Sequence, residues 1–299
     1  MAIPFSVPDQ LPFLQAICWQ IKDIHGLTPQ EILKCYERGW HYRGVVDDVA
    51  PEEQAFIQAL ARRYGSWLNS MAQRVQHQKI LDILGQLDSD FLHQCQAYFG
   101  GGTLLTLVYD EYRLSQDIDF LCSDAQGYRQ LRRAVMERQY QALFQTQTGL
   151  IFPREIQANQ YGIRFPIVID DMTIRCEIIS EGRIDLGEPE TPSNLPVACL
   201  NLTDRIAEKL LANSDRWPDT SVLSRDLIDL AMLRLPGEFP ATAIEKAEAA
   251  YPVIEPLKRA IAAFQQKPKY RDRCYDLLQV KNSAQVSSGL EQLEADFEI

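Results

Sequence analysis

No stretch of the chain is apolar over the roughly 18–20 residues that a bilayer-spanning helix needs, so no membrane anchor is expected. The opening residues MAIPFSVPDQLPFLQ lack a basic segment followed by an apolar one and do not read as a secretory leader. Zinc-type ligand spacing is missing as well. The seven cysteines (Cys18, Cys35, Cys95, Cys122, Cys176, Cys199, Cys274) contain no C-x-x-C pair, and the four histidines (His25, His41, His77, His93) add no ligand spacing. The cysteines are expected to be reduced, mostly buried thiols of a cytoplasmic protein, and the histidines to be surface or packing residues. Positive charge is the scarcer sign. Thirty Lys and Arg against 41 Asp and Glu leave a net charge of −11. That excludes a uniformly basic nucleic-acid clamp, while a local basic patch and metal-type carboxylate clusters both stay open. Internal repeats and low-complexity tracts are absent too.

What is present is 299 residues, 46% of them apolar, enough to bury a core without staples. The first part reads as helical: an apolar segment from Leu11 to Ile24, a helix start at Thr28-Pro29-Gln30-Glu31, and another at Ala50-Pro51-Glu52-Glu53. Ile80, Leu84, Leu87 and Phe91 stand three and four apart, which predicts one continuous amphipathic helix. A mixed region follows. Gln96–Phe99 and Asp117–Cys122 read as strands, Thr103–Tyr112 and Gly127–Phe144 as helices, and Tyr161–Ile169 with Met172–Ile179 as a hairpin turning at Asp170-Asp171. Gly187–Pro196 reads as a linker. Helices are expected over 203–213, 224–235, 240–250, 252–265 and 269–279, with an acidic, fraying tail. The expected fold class is α+β, with a small mixed sheet flanked by helices. The expected divisions are an N-terminal helical extension over 1–75, an α/β core over 76–195, and a C-terminal helical bundle over 196–299.

Three features of the middle region carry chemistry. Gly100-Gly101-Gly102-Thr103 joins a strand to a helix; it is either an anion-binding turn or simple backbone geometry. Asp117 and Asp119 stand two apart on a strand and so share a face. They are either solvated at a strand end or, in a core strand, brought together by Mg²⁺. Glu177 lies in an apolar strand, where it either pairs with Arg175 or supplies a third metal ligand. Further on, Asp226 and Asp229 share a helical face, with Arg225-Asp226 readable as a surface pair. Lys209 is either a solvated helix lysine or a stem that delivers its amine to a cleft.

The run FGGGTLLTLVYDEYRLSQDIDFL (99–121) resembles the signature of nucleotidyltransferases related to DNA polymerase β. The closer resemblance is to the AbiEii/AbiGii toxin family of bacterial nucleotidyltransferases. It rests on G-G-T-x-L followed by R-x-S-x-D-I-D-F (Arg113, Ser115, Asp117, Asp119), then on Arg205–Leu210 around Lys209 and on Ser224–Leu230 around Asp226. It covers about residues 78–235 and leaves the N-terminal helices outside.

The resemblance implies a minimal nucleotidyltransferase core that moves a nucleoside monophosphate from an NTP to an acceptor hydroxyl. Two Mg²⁺ ions, or Mn²⁺, would sit on Asp117, Asp119 and Glu177, with Glu177 beside the attacking hydroxyl. Gly101, Gly102 and Thr103 would hold the β- and γ-phosphates, and Lys209 would balance their charge. Asp226 would order Lys209 or the acceptor, and Arg113 and Ser115 would shape the nucleotide loop. RNA, tRNA in particular, is the implied acceptor, and a separate antitoxin the implied protein partner. A basic track would come from Arg129, Arg132, Arg133 and Arg138, or from Lys258, Arg259, Lys267, Lys269, Arg271 and Arg273 with Tyr270 for stacking; the plain alternative is solvated helix faces. Two other functions remain open on the sequence: transfer to a protein or small-molecule hydroxyl, and an inactive nucleotide-binding module.

Overall fold

The computed structural model describes residues 7–8, 10–19, 21, 24–39, 49–64, 66 and 74–298. The chain forms two compact units, Met1–Met71 and Ala72–Ile299. His41 and the side chain of His25 lie outside the described residues. All seven cysteines are unpaired, and all but the half-buried Cys35 are buried. Among the described residues no helix is long and apolar enough to cross a membrane.

The first unit holds α1 (Pro12–Ile17), α2 (Pro29–Gly39) and α3 (Pro51–Tyr64). The start of α2 is a capping box. The Thr28 amide donates to Glu31 at 2.8 Å, and the Glu31 amide reaches back to the Thr28 hydroxyl at 3.4 Å. Glu53 is fully buried because it satisfies the open end of α1, accepting from the amides of Phe13 (3.0 Å) and Leu14 (2.8 Å) and from the Tyr36 hydroxyl (2.8 Å).

The second unit opens with α4 (Val75–Leu84) and α5 (Ser89–Gln94). The single helix expected across Ile80–Phe91 is therefore two. Gly85 ends α4, and Asp88 starts α5 by accepting from the Phe91 amide at 3.0 Å. β1 (Ala97–Gly100) leads directly into α6 (Gly101–Val108). That helix stops short of the expected Tyr112. Asp110 and Glu111 adopt left-handed backbone (φ 55° and 50°) and redirect the chain. β2 (Ile118–Cys122) is followed by α7 (Ala125–Arg138) and a 3₁₀ turn at Gln139–Ala142, again where one residue, Gln139, has positive φ. β3 (Leu150–Ile151) and β4 (Gln157–Ala158) are short, and β5 (Gly162–Ile169) and β6 (Met172–Ser180) form the hairpin expected at Asp170-Asp171. After α8 (Leu202–Arg216) come α9 (Arg225–Arg234), α10 (Ala241–Ala250), α11 (Ile254–Gln265), α12 (Pro268–Leu277) and α13 (Ser283–Phe297).

The sheet order is β1-β2-β6-β5-β3, with β4 on β5. β2 and β6 are parallel, and their register sets Asp119 beside Glu177. One face of the sheet (Ile118, Phe120, Ile163, Phe165, Ile174, Cys176, Ile178) packs on α4, α5 and α7 through Ile80, Ile83, Leu92, Leu131 and Val135. A second core joins α8, α9, α11 and α13 through Leu210, Leu227, Leu230, Ile261 and Leu290. Leu104 and Leu107 of α6 enter the first core and Leu105 the second, so this short helix belongs to both. The Gly187–Pro196 stretch contributes Leu195 to the first core, and Glu190 bridges to Cys199.

The expected fraying tail is instead α13. Val286, Leu290 and Leu293 recur at helical spacing and are buried, while Asp296 pairs with Arg234. Gly289 lets α13 touch α9: a Cβ there would collide with the Ala231 carbonyl. Gly289→Ala is expected to cost about 2–3 kcal/mol, seen as a melting temperature lower by roughly 5–10 °C.

Candidate active site

The glycine turn and the acidic strand are built against each other. Gly101 has φ +70°, and a Cβ on it would lie 2.6 Å from Asp119 Oδ2. A Cβ on Gly102 would strike the Arg113 guanidinium. Both glycines thus serve close approach as well as backbone freedom. Gly101→Ala is expected to cost about 1–2 kcal/mol in thermal melts and to displace Asp119, with a matching loss of nucleotide transfer.

Thr103 is buried and does not face the cleft. Its hydroxyl donates to the Asp117 carbonyl at 2.5 Å and meets the Ser115 hydroxyl at 2.9 Å. It therefore ties α6 to the loop before β2 instead of offering its hydroxyl to a phosphate. His77 adds a second tie that sequence reasoning did not find. Fully buried, its Nε2 accepts from the Ser115 amide at 3.3 Å, which leaves Nδ1–H to donate to Glu111 at 2.6 Å.

The three acidic residues stand along one edge of the site. Asp119 and Glu177 are register partners on β2 and β6, and Asp117 lies just before β2. Asp119 is half-buried, and its carboxyl is pushed up to about 6. Burial is the main cause and the Asp117 charge adds to it, against the pull of Arg175 and Lys209. The Arg175–Glu177 pair, one of the two readings open for Glu177, does not form. Arg175 precedes the Ile118–Cys176 register pair, so it stands level with Asp117 and binds it at 2.8 Å. Glu177 is bound at 2.6 Å by Arg164, its register partner on β5. Among the described residues, no three Asp, Glu, His or Cys side chains are gathered for a metal ion as they stand.

Opposite the acids is a buried ionic network. Lys209, 6% exposed, is not a solvated lysine: its amine bridges Asp226 (3.0 Å) and Asp229 (2.6 Å). Asp226 is also held by Arg216 Nε at 2.5 Å, so it is not half of a surface pair with Arg225. Asp229 accepts two bonds from Arg113 (2.6 and 2.7 Å) and one from the Tyr112 hydroxyl (2.6 Å). Burial alone would raise both aspartates. The Lys209 and Arg216 charges on Asp226, and those of Arg113 and Lys209 on Asp229, hold them below the usual carboxylate range. Asp226 does not face the cavity; it positions Lys209 and Arg216, which do.

Between the acidic edge and this network lies a cavity of about 300 Å³. Seven cations line it (Arg113, Arg175, Arg183, Arg205, Lys209, Arg216, Arg225) against five carboxylates (Asp117, Asp119, Glu177, Glu208, Asp215). Most of these cations are paired, with Asp226, Asp229, Glu181, Glu190 or Glu208, so the wall offers ordered cationic donors to an anionic ligand without a net positive charge. At its far end Arg183 binds Glu181 (2.6 Å) and Glu208 (2.7 Å); burial and the Glu181 charge push Glu208 up to about 8. Sequence reasoning passed over Arg205, Glu208 and Arg216. Their signal was there: with Lys209 they form a polar stripe at spacings of three, four and seven on α8. Arg183 sits in a loop and gave no signal. Neither proposed basic track lines the cavity, and Tyr270 is engaged by Ser224 (3.1 Å) and packed edge-on against Phe264.

A small mixed sheet whose acidic edge faces a cationic wall defines a site for a phosphate-rich ligand. Comparison with known proteins makes that class specific. The model of the family "Nucleotidyl transferase AbiEii toxin, Type IV TA system" matches residues 82–288, and the chain belongs to that family. It is a nucleotidyltransferase of a toxin–antitoxin family, and an antitoxin is the partner that membership implies. The match runs past the earlier resemblance through α12 into α13. Two solved structures from Helicobacter pylori are similar to it. One, described as a candidate nucleotidyltransferase, has a TM-score of 0.43 at 16% identity over 76% of this chain and 97% of its own. The other, JHP933, has a TM-score of 0.45 at 17% identity over 76% and 95%. No curated protein matches the sequence.

Proposed function

We propose that this nucleotidyltransferase transfers a nucleoside monophosphate from an NTP to the hydroxyl of an RNA, tRNA being the expected class, with two Mg²⁺ ions or Mn²⁺ as cofactor. The observation that carries the reading is the cavity itself, where Asp117, Asp119 and Glu177 face Lys209, Arg113 and Arg216. The acidic donor set fits a hard divalent cation: it is all oxygen, and burial together with the Asp117 charge pushes Asp119 up to about 6. Arg175 and Arg164 hold two of the three carboxylates, but both are solvent-facing, with side chains 57% and 42% exposed, and can turn aside. Mg²⁺ bound to Asp117, Asp119 and Glu177 would supply charge neutralisation at the α-phosphate and acidify the attacking hydroxyl.

The chain's own groups do the rest. The amides of Gly101 and Gly102, at the start of α6, offer the triphosphate the positive end of a helix. Lys209 and Arg216, kept in place by Asp226 and Asp229, offset the charge that builds on the departing pyrophosphate. Arg113 has most of its donors committed to Asp229 and the Leu114 carbonyl, so it shapes the pocket wall more than it grips a ligand. Glu177 accepts the proton of the acceptor hydroxyl.

The test is incubation with total RNA and each labelled NTP, wild type against Asp117→Ala/Asp119→Ala. The expected result is nuclease-sensitive label with the wild type alone. Label removed by protease instead would make the acceptor a protein. NTP binding without any transfer would make this an inactive nucleotide-binding module.

A further inference from the structure

The sheet face that carries Asp119 and Glu177 continues beyond the cavity. Along the β5–β6 hairpin, Arg164 is paired with Glu177, Pro166 with Arg175 and Val168 with Thr173. Thr173 and Arg175 are exposed and Arg164, Pro166 and Val168 half-buried, whereas Ile163, Phe165, Ile167, Ile174 and Ile178, on the opposite face, are buried. The hairpin is thus packed on one side and open on the other.

Two arginines stand on the open side, each spent on a carboxylate of the acidic edge. The guanidinium ends of these pairs face solvent, while the carboxylates are more buried, so it is the arginines that can change partner. The cavity already has buried, pre-ordered cations on its opposite wall. Arg164 does not line the cavity, so its guanidinium reaches Glu177 from the open face of the sheet. Arg164 and Arg175 are diagonal neighbours on adjacent strands, about 7–8 Å apart at the backbone. Successive phosphates of one extended nucleic-acid strand can meet such a pair. A divalent cation held by Asp117, Asp119 and Glu177 would release both guanidinium groups from these carboxylates.

We propose that Arg164 and Arg175 are the acceptor-binding pair: the 3′ end of an RNA lies over the open face of β5–β6, its terminal hydroxyl toward Glu177 and its last phosphates on the two guanidinium groups. This rests on the nucleotidyl-transfer reading above. Because the same arginines hold the carboxylates in the free protein, divalent cation and RNA reinforce each other's binding, and by linkage the effect is reciprocal.

The test compares the full-length wild type with Arg164→Gln, Arg164→Gln/Arg175→Gln and Arg164→Lys/Arg175→Lys. The probe is a fluorescent single-stranded RNA ending in a free 3′ hydroxyl, titrated over a salt series with and without Mn²⁺; circular dichroism checks folding. The wild type is expected to bind RNA several-fold more tightly with Mn²⁺. The Gln pair is expected to lose that gain and to lower the salt slope by about 1.4, two contacts at roughly 0.7 each on a single strand. The Lys pair should restore the slope. NTP affinity, read by equilibrium dialysis, should fall by less than RNA affinity in the Gln pair and be unchanged in Arg164→Gln alone, because Arg175 lines the cavity and Arg164 does not. Wild-type RNA affinity and slope in the Gln pair would overturn the proposal. So would an equal loss of NTP binding, or transfer by the wild type to protein and never to RNA. If RNA binding depends on the two arginines but no NTP is turned over, the transfer reading fails and the docking pair stands.

Discussion

Asp119→Asn is expected to lower nucleotide transfer at least about 10³-fold while making the protein more stable. The two effects have one origin. The Asp119 carboxyl, pushed up to about 6 by burial and by the Asp117 charge, ionises less readily folded than unfolded. At pH above about 6 its charge therefore costs the folded state its full penalty, and as pH falls through 6 toward 4 that penalty disappears. The asparagine variant should gain about 1–2 kcal/mol near pH 7.5 and nothing near pH 4, as read by urea unfolding of both proteins at each pH. The same titration should weaken Mn²⁺ binding below about pH 6, since proton and cation compete for one carboxylate. Retained transfer, or an equal stability gain at both pH values, would sink the assignment.

Asp229→Ala is expected to have the largest effect on folding, a loss of roughly 3–5 kcal/mol. Asp229 is fully buried and neutralises Arg113 bidentately and Lys209 at once, with the Tyr112 hydroxyl as a further donor. Removing it leaves a buried guanidinium and half-unpaired ammonium without replacing their hydration. The pH signature is opposite to that of Asp119. Burial raises Asp229, but Arg113 and Lys209 more than reverse this, so its carboxyl is held below the ordinary range. Its stabilisation is complete above the normal carboxylate pKa and is lost as pH falls through the depressed one. The wild type should therefore lose stability on acidification more steeply than Asp229→Ala or Asp229→Asn, neither of which titrates there, while Asp229→Asn, which keeps the shape, should be less destabilised than the alanine variant near pH 7. In transfer assays Asp229→Asn should lower kcat more than it raises the KM for NTP, because Lys209, which offsets the charge of the departing pyrophosphate, keeps only its Asp226 anchor.

Much of the site could be read in the residue order because strand and helix periodicities fix which side chains share a face. Asp117, Asp119 and Glu177 do meet at one edge, and Asp226 and Asp229 do share a helical side. What could not be read were pairings across elements. Glu177 meets Arg164 because β5 lies beside β6 in that register, and Arg175 reaches Asp117 because β2 lies parallel to β6. Neither fact is local. Thr103 looked like a phosphate ligand from its place after the glycines, but the turn of the loop before β2 brings the Asp117 carbonyl to it first. Helix ends differ from the expected ones where Asp110, Glu111 and Gln139 adopt positive φ, a conformation that polar residues other than glycine do not announce in the sequence. The acidic tail misled because charge was weighed before the Val286, Leu290, Leu293 spacing.

The parallel pairing of β2 with β6 also sets how late in synthesis the proposed site is complete. Its carboxylates come from positions about sixty residues apart in the chain, and the Arg113–Asp229 clamp joins residues separated by 116. A growing chain released from the ribosome before α9 is complete has the acidic edge but no anchored Lys209, and a shorter one lacks even Glu177. On the proposed site, a prematurely terminated chain is thus an incomplete catalyst.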